Sequence, residues 1–435
     1  MREDTKKLIN IFLSNKKFFS DINWAYQYCD EPQIFTFNVY CKNLNKYSSG
    51  IYKRSEPHST GCSFDFERAL NKSIGEIIER FCCSCYREKG FILDSYNKLK
   101  NSINPTHFAS FAENRKNLFQ KNNINVEDKI NWIRGKSFFN KNEMLIPAQL
   151  IYINYRFTKS EKVIQFASSN GAAGDWSKDK ALCKSILELI EREAFLIFYL
   201  NKISPKEVLL DSINLPSFHE IRKKFVKYNL KLRIFNITTD LEVPIYLTVI
   251  IDPTLVGMPI SFGSKADFNH ETALIGAIEE ALQVRTWIRS LHETSKNRYK
   301  VHKPYEITEI FKRGLFWYNP ELLKSLDFLL KPLSSNLIKF PKVAKKSFRK
   351  QFNNLRKSLI REKIDLYYID LTLPEFKKNG FFVIKSISPQ IMPLYFNEKY
   401  PYLKCERLFD VPVKLGYLKY QKDIKELNQI PHPFL

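Results

Sequence analysis

Three stretches of this chain repeat one pattern of acids at helical spacing, and that repeat restricts the fold more than any other feature. They are Ser73-Ile74-Gly75-Glu76-Ile77-Ile78-Glu79-Arg80, Ser185-Ile186-Leu187-Glu188-Leu189-Ile190-Glu191-Arg192 and Ala277-Ile278-Glu279-Glu280-Ala281-Leu282-Gln283-Val284-Arg285. In a common frame each carries an acid, an acid or amide three positions on, isoleucine two before the first acid, and Ile or Leu two after it. Positions i, i+3 and i+4 share one helix face. Glu76, Glu79 and Arg80 therefore project together, as do Glu188, Glu191 and Arg192. Leu70, Ile74, Ile77, Ile78 and Phe81 make the apolar stripe of the first helix, and Leu182, Ile186, Leu189 and Ile190 that of the second, so the acids flank the buried side. Packed side by side, such helices would gather four or five carboxylates at one cleft. Gathered carboxylates repel unless cations balance them, and hard divalent ions bound through oxygen, with phosphate as co-ligand, are a natural balance. A single ExxER run is ordinarily a surface ion-pair pattern; the second copy and the degenerate third bring the shared-site reading level with it.

The three helices, about 66–86, 177–198 and 270–290, alternate with runs rich in β-branched and aromatic residues: Ile146–Tyr155, Leu232–Thr238, Val243–Asp252, Ile364–Thr372 and Phe381–Ile387. This predicts a mixed α/β (α+β) fold. The expected organisation is an N-terminal extension over 1–55, a catalytic domain over 56–400 and a proline-containing tail over 401–435. Hydrophobic residues make up 44%, with 35 Phe and 22 Tyr, enough to build a core and to exclude wholesale disorder. No apolar run reaches the roughly 18 residues of a membrane span, and Met1-Arg2-Glu3-Asp4 does not open a secretory signal, which places the chain in the cytoplasm.

The net charge of +23 admits a nucleic-acid binder. The Lys and Arg are nevertheless spread throughout. The densest stretch, Lys345 to Lys363, has helical spacing with Phe348, Phe352, Leu355 and Leu359 on one side, which reads as a solvated face. Cys82-Cys83-Ser84-Cys85 lacks a second CxxC or His pair to complete a zinc tetrahedron, so buried thiols are the favoured reading.

Ser168-Ser169-Asn170-Gly171-Ala172-Ala173-Gly174 precedes the second helix. Small residues let backbone approach a phosphate, and a helix N-terminus offers free N–H donors. Gly263-Ser264-Lys265 similarly precedes the third. GxxxxGK[ST], GxSxG, HExxH and GxGxxG are absent.

Asn170-Gly171-Ala172-Ala173-Gly174, Ala181 and Glu188-Leu189-Ile190-Glu191-Arg192 together resemble the signature of the YcaO superfamily. Gly75-Glu76-Ile77-Ile78-Glu79-Arg80 resembles its first ATP/magnesium helix, and Glu280 with Gln283 and Arg285 its third. Leu241-Glu242-Val243-Pro244-Ile245 resembles the segment between them. Ser388-Pro389-Gln390-Ile391-Met392-Pro393-Leu394-Tyr395-Phe396 resembles a C-terminal segment of members that modify ribosomal peptides. The resemblance implies a YcaO-like domain of β-sheets and helices whose acidic faces converge on a central ATP/Mg2+ cleft. It implies Glu76, Glu79, Glu188, Glu191 and Glu280 as magnesium ligands. Arg80, Arg192 and Arg285 would neutralise phosphate or hold the acids, and Ser169, Asn170 and Gln283 would contact nucleotide. Many members carry a Gly-Lys-Gly run before the first helix; here Gly61-Cys62-Ser63 stands in its place, without that lysine.

The chemistry so implied is azoline formation. A Cys, Ser or Thr side chain of a precursor peptide attacks the preceding amide carbonyl, ATP phosphorylates the oxyanion, and phosphate departs. The enzyme supplies proximity and charge stabilisation and needs no nucleophile of its own. The rivals are thioamide formation with external sulfide, a silent peptide-docking scaffold, and nucleic-acid binding, which rests on charge alone. Implied partners are the precursor peptide, a leader-binding E1-like protein and a flavin dehydrogenase; a homodimer is compatible, and no membrane is expected. Pro431-His432-Pro433-Phe434-Leu435, stiffened by two prolines, resembles the tails of ring-forming relatives that reach the active site. This assigns Pro431, His432, Pro433 and Leu435 a place at the chemistry.

Overall fold

The computed structural model describes residues 1–50, 58–111, 124–255, 257–294, 303–331, 336–342 and 347–435. It divides into two compact units whose segments alternate along the chain. The first comprises Met1–Ala25, Phe35–Leu189 and Lys363–Ile391; the second comprises Tyr26–Ile34, Ile190–Glu362 and Met392–Leu435. These do not coincide with the contiguous partition expected at 55 and 400. Phe19–Trp24 and Phe35–Cys41, from the expected extension, form an antiparallel sheet with His58–Ser63.

The first unit also holds a sheet in the order Ile92–Asp94, Ile130–Ser137, Tyr367–Asp370, Phe382–Ile387, Ala172–Asp175, with Glu143–Pro147 paired to Ile130–Ser137. Phe66–Ser84 forms the first acidic helix, with the Asp65 carboxylate accepting the Arg68 N–H as N-cap. Its predicted stripe is core: Ile74, Ile77, Ile78 and Phe81 are wholly buried. The helix lies directly on the strand His58–Ser63, where a Cβ on Gly61 would come within 2.3 Å of Ala69 O and 2.2 Å of Ser73 N. Only glycine admits that approach.

The second unit is built on a sheet in the order Ile260–Ala266, Ile245–Ile251, Lys231–Asn236, Lys206–Val208, Leu337–Ile338, antiparallel except for its last pair. Its helix His270–Thr294 crosses the strand Ile260–Ala266 at Gly263, whose Cβ would meet Ala281 N at 2.3 Å and Ala277 O at 2.4 Å. The helix Lys178–Leu200 runs from the first unit into the second, which it joins at Ile190.

Two expectations are corrected. Ile146–Tyr155 is not one strand: the chain leaves the sheet at Pro147 and turns through a short helix at Ala148–Leu150. The buried Gln149 side chain accepts the Ile164 N–H and donates to Lys162 O, so a side chain does the pairing that a ladder would have done. In the basic stretch, Phe348–Arg361 is helical with Leu355 and Leu359 buried, but Phe348 is 37% exposed and stacks on Phe352. Lys345 and Lys346 lie outside the described residues.

Candidate active site

In the first unit, Glu76 and Glu79 stand one turn apart on the helix Phe66–Ser84. Glu76 pairs with Arg80 at 2.6 Å and accepts the Thr60 N–H at 3.3 Å from the glycine strand. Arg80 also donates to His58 O. Glu79 accepts the Gly174 N–H at 2.7 Å. A Cβ at Gly174 would fall 2.7 Å from the Phe381 ring and 3.1 Å from the Glu79 carboxylate, so glycine is what lets this backbone N–H reach the acid. Burial, and then the negative charges of Glu76 and Glu188, push the Glu79 carboxyl up to about 8, against the Gly174 N–H and Lys184.

The loop before the second acidic helix belongs to the same unit. Gly171 takes a positive φ of 76°, and its O accepts the Ser386 N–H at 2.8 Å. Ser386 Oγ in turn meets Ser185 Oγ of the helix at 2.6 Å. The Asn170 side chain is buried at both its oxygen and its nitrogen, and neither has a hydrogen-bond partner. Ser169 is half-buried beside it. An orphaned carboxamide on a glycine loop is costly unless something binds there. Lys385 is buried on the strand Phe382–Ile387, its ammonium bonded to Ile151 O and Ser168 O. Burial lowers its pKa, opposed by Cys83 and Glu188.

In the second unit, Glu191 is buried. It accepts the Ser264 hydroxyl at 3.1 Å and the Ala266 N–H at 2.8 Å. Glu280 accepts the Ser264 N–H at 2.8 Å. Arg192 stands 3.4 Å from Glu280 and 3.5 Å from Glu191, with Lys265 3.9 Å from Glu191. Burial raises the Glu280 carboxyl, with Arg192 the main opposing charge. Gln283 is half-buried three positions after Glu280, on the same helix face. Arg285, expected to neutralise phosphate or hold the acids, pairs with acids other than the expected magnesium ligands. It is 2% exposed, and its guanidinium is held by Glu31 at 2.7 Å, Asp252 at 3.0 Å and Met258 O. It acts as an internal strut.

The tail is threaded into the second unit. Tyr199 and Trp317 both donate to Pro431 O, Arg313 donates to His432 O, and the His432 Nε2–H donates to Tyr395 O at 2.7 Å. Burial, with the Arg313 and Arg192 charges, holds the imidazole well below its usual range, so it is neutral. Phe434 lies under the Arg192 guanidinium at 4.4 Å, and Leu435 packs with Met258, Val284 and Ile288.

Among the described residues no three His, Cys, Asp or Glu side chains form a ready-made metal shell. Backbone N–H groups hold Glu76, Glu79, Glu191 and Glu280, and Arg192 stands within 3.5 Å of both Glu191 and Glu280. The donor set nevertheless fits magnesium with a polyphosphate. All the acids are hard oxygen donors, magnesium is commonly held by one or two carboxylates plus phosphate oxygens, and Asn170 presents an unsatisfied amide at a loop without bulky side chains. Cys82 and Cys83 are buried free thiols, and burial pushes Cys83 up to about 12. The sequence reading missed the backbone N–H groups of Thr60, Gly174, Ser264 and Ala266, and Lys385. The single glycines in Thr60-Gly61 and Gly263-Ser264 were the available signal for two of them.

Residues 60–392 match the family described as YcaO cyclodehydratase, ATP- and Mg2+-binding. The chain belongs to the YcaO cyclodehydratase family. ATP and Mg2+ are the cofactors of that family, and the match spans both sets of acids. An uncharacterized protein of Methanothermobacter thermautotrophicus is 23% identical over 264 residues, which are 59% of this chain and 64% of the relative. A heterocyclase in complex with substrate and cofactor superposes with a TM-score of 0.79 at 19% identity, covering 98% of this chain and 57% of that one. YcaO from Methanopyrus kandleri, bound with AMPPCP and Mg2+, gives 0.62 at 13% identity, covering 90% and 91%. The E. coli microcin synthetase McbBCD complex gives 0.61 at 14%, covering 85% and 87%. These likenesses establish the YcaO fold. The chain spans somewhat under two thirds of the first curated relative and of the first heterocyclase. Among the described residues no helix is long and apolar enough to cross a membrane.

Proposed function

We propose that this YcaO protein is an ATP-dependent cyclodehydratase that converts Cys, Ser or Thr of a ribosomal precursor peptide to thiazoline or oxazoline. The observation that carries the reading is the Glu79 carboxyl, lifted to about 8 by burial and then by the charges of Glu76 and Glu188, within a family that binds ATP and Mg2+. Carboxylates set beside a buried acid are hard oxygen donors, and a divalent cation would balance their repulsion.

Glu76, Glu79 and Glu188 in the first unit, and Glu191 and Glu280 in the second, would hold magnesium. ATP, when bound, supplies the phosphoryl group that turns the amide oxygen into a leaving group. The remaining work is positional. Ser169 and Asn170 receive the nucleotide on a loop without bulky side chains, and Gln283 adds an amide beside Glu280. Arg192 is aimed by Glu191, Glu280 and the Phe434 ring, so it can meet negative charge without searching for a rotamer. Pro431, His432, Pro433 and Leu435 guide the substrate; the neutral His432, bonded to Tyr395 O, fixes the course of this segment and carries no charge into the site. The McbBCD complex supports delivery of the peptide by partner proteins, a leader-binding protein and a flavin dehydrogenase being the expected ones.

The test is the mass of the precursor after incubation with ATP, Mg2+ and its partner. Loss of one water per modified residue is expected. Exchange of oxygen for sulfur would make the protein a thioamide-forming enzyme, and an unchanged mass would overturn the assignment.

A further inference from the structure

Lys385 is a charged side chain in a place where burying an ammonium is expensive, and an apolar residue of similar volume would cost less. It is 1% exposed, on the strand Phe382–Ile387. Its ammonium reaches Ile151 O at 2.9 Å and also Ser168 O. These two carbonyls are 17 residues apart in the chain, and one ammonium ties them together. The same strand holds the far side of the loop. Ser386 N–H donates to Gly171 O, and Lys385 is the register partner of Ala172 in the ladder. The strand therefore grips the chain at Ser168, Gly171 and Ala172. Between those grips lie Ser169 and Asn170, the latter with its buried carboxamide unpartnered. The backbone ladder fixes the Gly171 end; at the Ser168 end the turn's own bonds, Asn170 N–H to Ser168 Oγ at 3.2 Å and Ala172 N–H to Ser169 O at 2.9 Å, are tied back to the strand by the lysine.

We infer that Lys385 is a positioning residue for nucleotide binding: its ammonium pins Ser168 O so that Ser169 and Asn170 are held open toward the nucleotide. This rests on the reading that Ser169 and Asn170 contact the nucleotide. Lys385 is well suited because three N–H donors on a flexible stem can satisfy two carbonyls of unrelated direction. A methionine at 385 would fill the space and leave both carbonyls without a donor.

The experiment measures the affinity of the full chain for AMPPCP with Mg2+ in wild type, N170A, K385M and K385Q, beside hydrogen exchange of the amides at 169–172 and in the strand Ile245–Ile251. In folded K385M the affinity is expected to fall about tenfold, the scale of one lost buried hydrogen bond to a charged donor. Exchange is expected to quicken at 169–172 and stay unchanged at Ile245–Ile251. Unchanged affinity and unchanged local exchange in K385M, with N170A weakened, would overturn the role of Lys385 alone. Undiminished affinity in N170A would overturn the loop reading and the inference with it. If K385M does not fold, K385Q decides by the same two readouts: weakened binding with faster exchange confined to 169–172 supports the inference, and wild-type values in both overturn it.

Discussion

The first and third acidic helices are built alike and charged differently. Each lies on an antiparallel strand through a glycine that admits the helix backbone, Gly61 under Phe66–Ser84 and Gly263 under His270–Thr294. In each case a strand N–H next to that glycine, Thr60 or Ser264, bonds the helix acid, Glu76 or Glu280. The balance of charge then diverges. In the second unit, Glu191 and Glu280 share the guanidinium of Arg192, and Glu191 also takes a hydroxyl and an N–H. In the first, Arg80 is spent on Glu76 and His58 O, and Glu79 faces two further carboxylates with the Gly174 N–H as its hydrogen-bond donor. Shared architecture positions the acids; burial raises both the Glu79 and the Glu280 carboxyl, with Arg192 the main charge opposing it at Glu280 and the Gly174 N–H and Lys184 opposing it at Glu79.

The largest expected effect comes from removing acids of both units from the one helix they share. Folded E188Q/E191Q should lose ATP turnover by about a thousandfold or more with peptide and partner supplied. Phosphate release at the wild-type rate would break the assignment of these acids to the metal.

A smaller effect separates the two units by sign. E191Q should destabilise the fold by about 1–3 kcal/mol, because a buried acceptor of two donors is replaced by an amide. E79Q should do the reverse at alkaline pH. The folded Glu79 binds its proton up to about 8 against an ordinary 4.5, so between those values the folded state holds more protons than the unfolded one. Stability should therefore fall as pH rises through that window, and E79Q should flatten the fall. Denaturant midpoints across the window measure it; an equal slope in both proteins would contradict the raised Glu79 carboxyl.

How much of this was legible follows from which interactions are local. The three helices could be read because a 3.6-residue period of Ile and Leu is a local property, and their ends came within a few residues of those observed. Ile146–Tyr155 misled because its departure from the sheet depends on Gln149 bonding to Lys162 and Ile164, a distant pairing with no local trace. Arg285 shows the same limit at the site. The resemblance gave it to phosphate or to the acids of the site, and Glu31, far away in sequence, holds its guanidinium at 2.7 Å. The Pro431-His432-Pro433 pattern conveyed stiffness, while the anchors of the tail, Tyr199, Trp317 and Arg313, were invisible until folded. Family resemblance named the acids; the fold supplies the backbone N–H groups that Glu76, Glu79, Glu191 and Glu280 accept.

The central claim is that a metal displaces the Glu79 proton into solution. Calorimetric binding of AMPPCP and Mg2+ near neutral pH, repeated in buffers of different ionisation enthalpy, counts the protons released. About one proton should leave per nucleotide bound in the wild type, because a metal-ligating carboxylate must be deprotonated, and about none in E79Q. Equal proton release in the two proteins, or none in the wild type, would contradict the claim.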